Sequence, residues 1–198
     1  GEASPPMRTP QQLERHEWPA EGAVSRADEF TYYEDGPMRG YLKERIVDAD
    51  GLRLTTTSAH DAVGNVTTVT DPLGHTTQSI HNQLNQIVRR IAPAPLSHYV
   101  DIAYDANGNV VRIDIENRNA DNQLEQNSLL TATYEYDLTN RLVQTTEEAD
   151  AAHNVVTQLG YDVNDNLALI RYGEAVSGNQ PANQIYLLHD DRDLLYRR

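Results

Sequence analysis

Tyr104-Asp105-Ala106-Asn107-Gly108-Asn109-Val110 is the stretch that decides how this chain folds, because the sequence restates it five more times. The other copies begin at His60, His81, Tyr136, Tyr161 and His189 and read HDAVGNV, HNQLNQI, YDLTNRL, YDVNDNL and HDDRDLL. Aligned, they fix four positions. The first is aromatic, Tyr or His. The second is Asp or Asn: Asp61, Asn82, Asp105, Asp137, Asp162 and Asp190. The fifth is Gly, Asn or Asp: Gly64, Asn85, Gly108, Asn140, Asp165 and Asp193. The seventh is Val, Ile or Leu.

That selectivity is the chemistry of a tight turn. Asp or Asn at the first corner of a type I turn hydrogen-bonds the backbone two residues on, and Gly at the fourth corner tolerates φ > 0. Gly, Asn and Asp are also the residues that enter the left-handed region at least cost. A type I turn followed by one left-handed residue in a bulge is a common three-residue hairpin loop. Each copy is therefore expected to be a hairpin tip whose second and sixth residues pair. That places the first residue opposite the seventh, so Tyr104 faces Val110, Tyr136 faces Leu142 and Tyr161 faces Leu167. Aromatic against branched aliphatic is a favourable cross-strand pair, worth about 0.2–1 kcal/mol.

Composition sets wide bounds. At 198 residues the chain forms one β domain or two smaller ones. Its apolar content is 38%, which suits a sheet with wet faces better than a dense globule. With no cysteine there is no disulfide, thiolate metal site or Cys nucleophile. A formal charge of −14 argues against nucleic acid, polyanions or an anionic membrane as partners, because each requires basic patches. No apolar run is long enough for a transmembrane span, and no basic start precedes an apolar stretch as in a signal peptide. If the parent protein is secreted or displayed at a cell surface, its targeting element is expected outside this sequence.

Residues 1–29 stand outside the pattern. They carry Pro5, Pro6, Pro10, Pro19 and the single tryptophan, Trp18, and read as an irregular lead-in. A short turn of helix is expected around residues 11–17, with Trp18 anchoring the segment on the sheet. From Phe30 to residue 198 the chain reads as hairpin after hairpin. Asp35-Gly36 is a two-residue hairpin signal. Asp48-Ala49-Asp50-Gly51 and Asp71-Pro72-Leu73-Gly74 repeat the Asp-x-x-Gly turn without a leading aromatic, with Pro72 where a fixed φ near −65° is wanted. Further breaks fall near residues 94, 120, 151 and 178. Aromatic-led tips and plain turns thus alternate, and in an antiparallel meander alternate turns share an edge. The aromatic-led tips are expected on one rim and the plain turns on the other. About fourteen strands at ~4.8 Å would run about 60 Å, so the strip is expected to curve or split. The last copy, at His189, leaves little chain for a return strand, and the array reads as truncated at its C-terminal end.

The copies YDANGNV, YDLTNRL and YDVNDNL, recurring at intervals of 21 to 32 residues with TDPLGHTT at residues 70–77 between two of the copies, resemble RHS repeats, also called YD repeats. The resemblance covers residues 30–198. That family includes bacterial Rhs polymorphic toxins, cocoon components of Tc insecticidal toxins, wall-associated bacterial proteins and teneurins. What it implies is an all-β strip of hairpins that forms part of a β-shell. In bacterial members the shell encloses a toxic C-terminal domain until delivery, and Rhs toxins serve in competition between cells. The expected partners are then further repeats of the parent chain and an enclosed C-terminal effector. Teneurin-like members imply an alternative, a surface module binding glycan or cell-surface protein through a Tyr-rich rim. His replaces Tyr at 60, 81 and 189, and Asn or Asp replaces Gly at 85, 140, 165 and 193, substitutions that keep the turn chemistry. The family's cleavage segment before the toxin is not visible here.

No chemistry stands above this architecture. His60 and His81 would lie two strands apart, about 10 Å, too far to share one zinc held at ~2 Å. Asp105, Asn107, Asn109 and Glu116 match part of a calcium-loop pattern, but Val110 stands where the loop demands Gly. Ser58, His60 and Asp61 are sequence neighbours that a strand points apart. No catalytic group, cofactor or metal ligand is expected, and the turn residues are read as structural.

Overall fold

The computed structural model describes residues 14–21, 24–150 and 153–197. They form two compact units, divided after Ser97. The first holds β1 (Arg15–Glu21), β2 (Val24–Tyr32), β3 (Leu42–Val47), β4 (Leu54–His60), β5 (Val66–Thr70), β6 (Thr76–His81) and β7 (Ile87–Ile91). The second holds β8 (Tyr99–Tyr104), β9 (Val110–Arg118), β10 (Leu124–Tyr136), β11 (Leu142–Asp150), β12 (His153–Tyr161) and β13 (Leu167–Arg171). A one-turn helix α1 (Gly173–Val176), β14 (Gln184–Tyr186) and a final hairpin of β15 (Leu188–His189) and β16 (Leu195–Arg197) complete it. Within each unit successive strands up to β14 pair antiparallel in chain order, and β15 pairs with β16 apart from them, so the expected all-β meander is what forms.

The register follows from the turns. His60 pairs with Val66, His81 with Ile87, Tyr104 with Val110, Tyr136 with Leu142, Tyr161 with Leu167 and His189 with Leu195. In all six hairpins the ladder shifts by one residue beside the aromatic, as a bulge requires. The fifth motif position is left-handed throughout: φ is 98° at Gly64, 63° at Asn85, 88° at Gly108, 62° at Asn140, 68° at Asp165 and 60° at Asp193. Because every tip consumes the same number of residues, the side-chain alternation of each strand restarts in phase. In the second unit this lines up Val100, Ile115 and Leu130 in one cross-strand row and Ile102, Ile113 and Ala132 in the next.

The sheet faces stay wet. Among described hydrophobic residues only Ala27, Ile46 and Ala49 are buried, and Asp28 beside them is held by Arg45 at 3.0 Å. Paired backbone and cross-strand contacts, rather than a thick core, hold the strands.

Several local expectations are corrected. Residues 15–21 and 24–29 are strand, β1 and most of β2, not an irregular lead-in. The part of the expected helix that is described lies in β1, and residues 11–13 lie outside the described residues. Pairing with β2 overrides local propensity there. Trp18 is half exposed and packs edge-on against His16 at 4.8 Å instead of anchoring under the sheet. Asp35-Gly36 makes no two-residue hairpin: the loop closes at Tyr33 and Tyr41, with Tyr33 N donating to Tyr41 O at 3.0 Å. Pro37 follows Gly36 and lacks the N–H that closure there would need. In the turn at 48–53 the left-handed residues are Asp48 and Arg53, not Gly51. The turn near 178 is a longer connection containing α1, whose Ala175 N and Val176 N close onto Tyr172 O.

Gly64 and Gly108 separate two demands at the fifth position. Both have positive φ, but an added Cβ at Gly64 would lie 2.7 Å from the Tyr41 hydroxyl oxygen and 2.8 Å from its ring. Gly108→Val should lower unfolding stability by at least about 1–2 kcal/mol, more than Gly108→Asn, since Asn already occupies this conformation at 85 and 140. Gly64→Asn should cost more than Gly108→Asn because it must also displace Tyr41. Urea unfolding of the three variants measures this order.

Candidate functional site at the turn rim

The candidate site is the row of tips, and one oxygen organises each of them. Asp61 Oδ1 accepts the backbone N–H of Val63 at 3.0 Å and of Asn65 at 2.9 Å. Asn82 does the same for Leu84 and Gln86, Asp105 for Asn107 and Asn109, Asp137 for Thr139 and Arg141, Asp162 for Asn164 and Asn166, and Asp190 for Arg192 and Leu194. The plain turn at Asp71, Pro72 and Gly74 uses the same device, Asp71 Oδ1 accepting from Leu73 and His75. So does the turn at Asn119, with Asn122 left-handed at φ 61°. Sequence reading placed a break there but did not recognise the motif, because no aromatic precedes it.

The sixth motif position was overlooked, and it joins the tips. In the first unit Asn65 Nδ2 donates to its own Asp61 Oδ2 at 2.9 Å and to Asn85 Oδ1 of the next tip at 2.8 Å. In the second, Asn109 Nδ2 reaches Asp105 Oδ2 and Asn140 Oδ1, each at 3.0 Å, with Asn107 Nδ2 adding a bond to Asn140 at 2.8 Å. Arg141 grips Asp137 and Asp165 of the following tip and lies over the Tyr161 ring at 4.8 Å. Asn166 Nδ2 then donates to Asp162 at 3.2 Å and to Asp193 at 2.8 Å. Asn or Asp at the fifth position is thus more than a tolerant substitute for Gly, since its side chain accepts from the tip before. The signal was present in the sequence as Asn65, Asn109 and Asn166 at one offset.

The aromatic position adds a second tie. Tyr136 donates its hydroxyl to Val110 O at 2.9 Å and Tyr161 to Leu142 O at 2.8 Å, each reaching the seventh residue of the preceding motif. At His60, His81 and His189 the shorter ring leaves a buried Nδ1 with no hydrogen-bond partner among the described residues. His60 is packed instead, stacked on Tyr41 at 5.2 Å and edge-on to Tyr33 at 6.3 Å. No group of three or more His, Asp or Glu among the described residues is arranged to hold a metal ion.

The motif carboxylates are held ionised by these donors. The Asn65 side chain, and then backbone N–H groups, lower Asp61. The Asn109 side chain does the same for Asp105, the Thr139 hydroxyl for Asp137 and the Arg192 side chain for Asp190. The His75 N–H lowers Asp71. At Asp162 desolvation works in the opposite direction and is outweighed by the hydrogen bonds from Asn166 and Asn164 together with the nearby His189.

No protein-family profile matches the sequence, and no curated protein matches it. Among solved structures, the crystal structure of TcdB2-TccC3-TEV aligns with a TM-score of 0.52 at 15% identity, over 77% of this chain and 9% of that one. The antiparallel strip of hairpins in this chain shares the fold of that structure. The crystal structure of TcdB2-TccC3 without its hypervariable C-terminal region aligns at 0.49 and 14% identity, over 88% of this chain and 10% of that one. The Photorhabdus luminescens Tc holotoxin pore aligns at 0.43 and 14%, over 75% and 9%. The chain spans about a tenth of the length of the structures it matches.

Two measurements check the rim. Asn140→Gly keeps a residue that accepts φ 62° but deletes the acceptor for Asn107 and Asn109. It should lower stability by about 1 kcal/mol, whereas an architecture resting on backbone conformation alone would gain or stay level. Acid should also loosen the tips. A carboxylate lowered on folding contributes stability above its unfolded pKa, near 3.9, and loses it as pH falls through its folded value. Melting temperature should therefore hold between pH 7 and about 5 and fall progressively below about 4, most in the second unit, where Asp105, Asp137, Asp162 and Asp190 stand.

Proposed function

We propose that this chain is a structural RHS module, a wall segment of a larger β-shell that encloses and protects a C-terminal effector for delivery, and that it carries out no catalysis itself. The observation behind this reading is the rim, where the Asp, Asn and Arg side chains of the motif bond to their own turn or to the neighbouring hairpin. Asp105, Asp137 and Asp162 organise backbone N–H groups, while Asn109, Arg141 and Asn166 join tip to tip. A surface so engaged suits a wall. Its fold likeness to a Tc toxin structure supports the same reading. None of the described helices is long and apolar enough to cross a membrane. The shell is proposed to act outside the producing cell, in a secreted or surface-bound parent.

The competing role, adhesion to glycan or cell-surface protein through the motif tyrosines, asks for free phenols, and those of Tyr136 and Tyr161 are bonded to backbone carbonyls. Limited proteolysis of the parent gene product tests the shell. Sequence following residue 198 should resist protease when joined to the repeats and be digested when expressed alone. Equal digestion rates would overturn the enclosure, and saturable glycan-array binding lost in Tyr104→Ala would favour adhesion.

A further inference from the structure

We infer that Asn107 is a site of spontaneous covalent modification, in which its side-chain amide is lost through a cyclic imide closed by the backbone nitrogen of Gly108, and that this reaction releases one tip of the rim from the next. Asparagine is a thermolabile residue. Asn107 is the only asparagine of the chain that precedes glycine. The imide ring closes on the nitrogen of the following residue, where a Cβ crowds the approach, and Gly108 has none. Val66, Val110 and Leu167 stand in that place after Asn65, Asn109 and Asn166. The turn brings the reactive pair together for its own reasons. At the fifth motif position φ is 88°, which favours glycine, and the fourth carries the asparagine whose Nδ2 reaches Asn140 Oδ1 at 2.8 Å. Both residues are exposed at the tip, so water reaches the reacting atoms.

The Gly108 nitrogen attacks Asn107 Cγ, and the new N–C bond forms as the Cγ–Nδ2 bond breaks. The proton from Gly108 N leaves with the amide nitrogen as ammonia. Water then opens the imide at one carbonyl to give aspartate, or at the other to give isoaspartate, whose backbone runs through Cβ. No oxidant or reductant is consumed. One bond restrains the reaction: Gly108 N donates to Asp105 O at 3.1 Å, so the tip opens before the nitrogen attacks. The described buried hydrophobic residues all lie in the first unit, so opening this tip breaks no core.

The product changes the rim. An aspartate at position 107 lacks the Nδ2 donor and sets a carboxylate against Asn140 Oδ1. That amide cannot turn to meet it without losing Asn109 Nδ2, which donates to the same oxygen at 3.0 Å. Isoaspartate lengthens the backbone between Asp105 and Asn109, so one Asp105 oxygen no longer spans the N–H groups two and four residues ahead. Either product loosens the tie between the tips at 105–109 and 137–141, and elapsed time is the trigger. Nothing in this depends on the shell reading.

The test is incubation of the full 198-residue chain at neutral and at mildly alkaline pH, followed by mass spectrometry of the tryptic peptide 91–112 with fragmentation to locate the change. Position 107 should turn from amide to acid at least about tenfold faster than Asn109 in the same peptide, a barrier lower by about 1.4 kcal/mol. The rate should rise with pH, because the attacking nitrogen must shed its proton. Asn107→Gln, whose longer side chain closes the ring poorly, should show no such change at 107. Converted protein should melt at a lower temperature than fresh protein, as should Asn107→Asp, while Asn107→Gln incubated alongside should keep its own melting temperature. No conversion at 107 while a synthetic peptide of residues 104–110 converts, conversion equally fast at Asn109, or a rate indifferent to pH would overturn the site. Converted and fresh protein melting together would overturn the release of the tip.

Discussion

The structure depends on one carboxyl or carboxamide oxygen at each motif turn accepting two backbone N–H groups, two and four residues ahead. That oxygen fixes the tip before any long-range contact forms, because it satisfies donors that a bulged hairpin otherwise leaves unpaired. Asp and Asn serve equally as this acceptor, which is why Asn82 and Asn119 stand among aspartates. The left-handed fifth residue then completes the bulge and hands the return strand back in a fixed register.

Register fixed locally lets a sheet persist with little core. In each unit the strands have mostly half-buried faces, and the described buried hydrophobics are three in number, all in the first unit. Cohesion across hairpins comes at the rim. There Asn–Asn, Arg–Asp and Asn–Asp pairs link neighbouring tips and tyrosine hydroxyls cap the carbonyl of the preceding motif. Individually such exposed bonds are weak, and their effect lies in repetition, each one restricting a hairpin already restricted by its neighbour.

The same geometry engages the side chains of the motif in architecture: Asp105, Asp137 and Asp162 organise their own turns, while Asn109, Arg141 and Asn166 join tip to tip.

Sequence alone determined the six motif turns, their bulges and the pairing of Tyr104 with Val110 and its five counterparts, because each follows from short-range chemistry within seven residues. It did not reveal that Arg15–Glu21 is a strand, since that depends on a partner in β2, nor that Pro37 displaces the closure of the loop expected at Asp35-Gly36. Tertiary structure decided what the sixth residue does. Asn65, Asn109, Arg141 and Asn166 look like ordinary turn polars until the next tip, 20 or more residues on, is brought within hydrogen-bond distance. It also decided that Gly64 must stay small, because Tyr41, far off in sequence, fills the space a side chain would occupy.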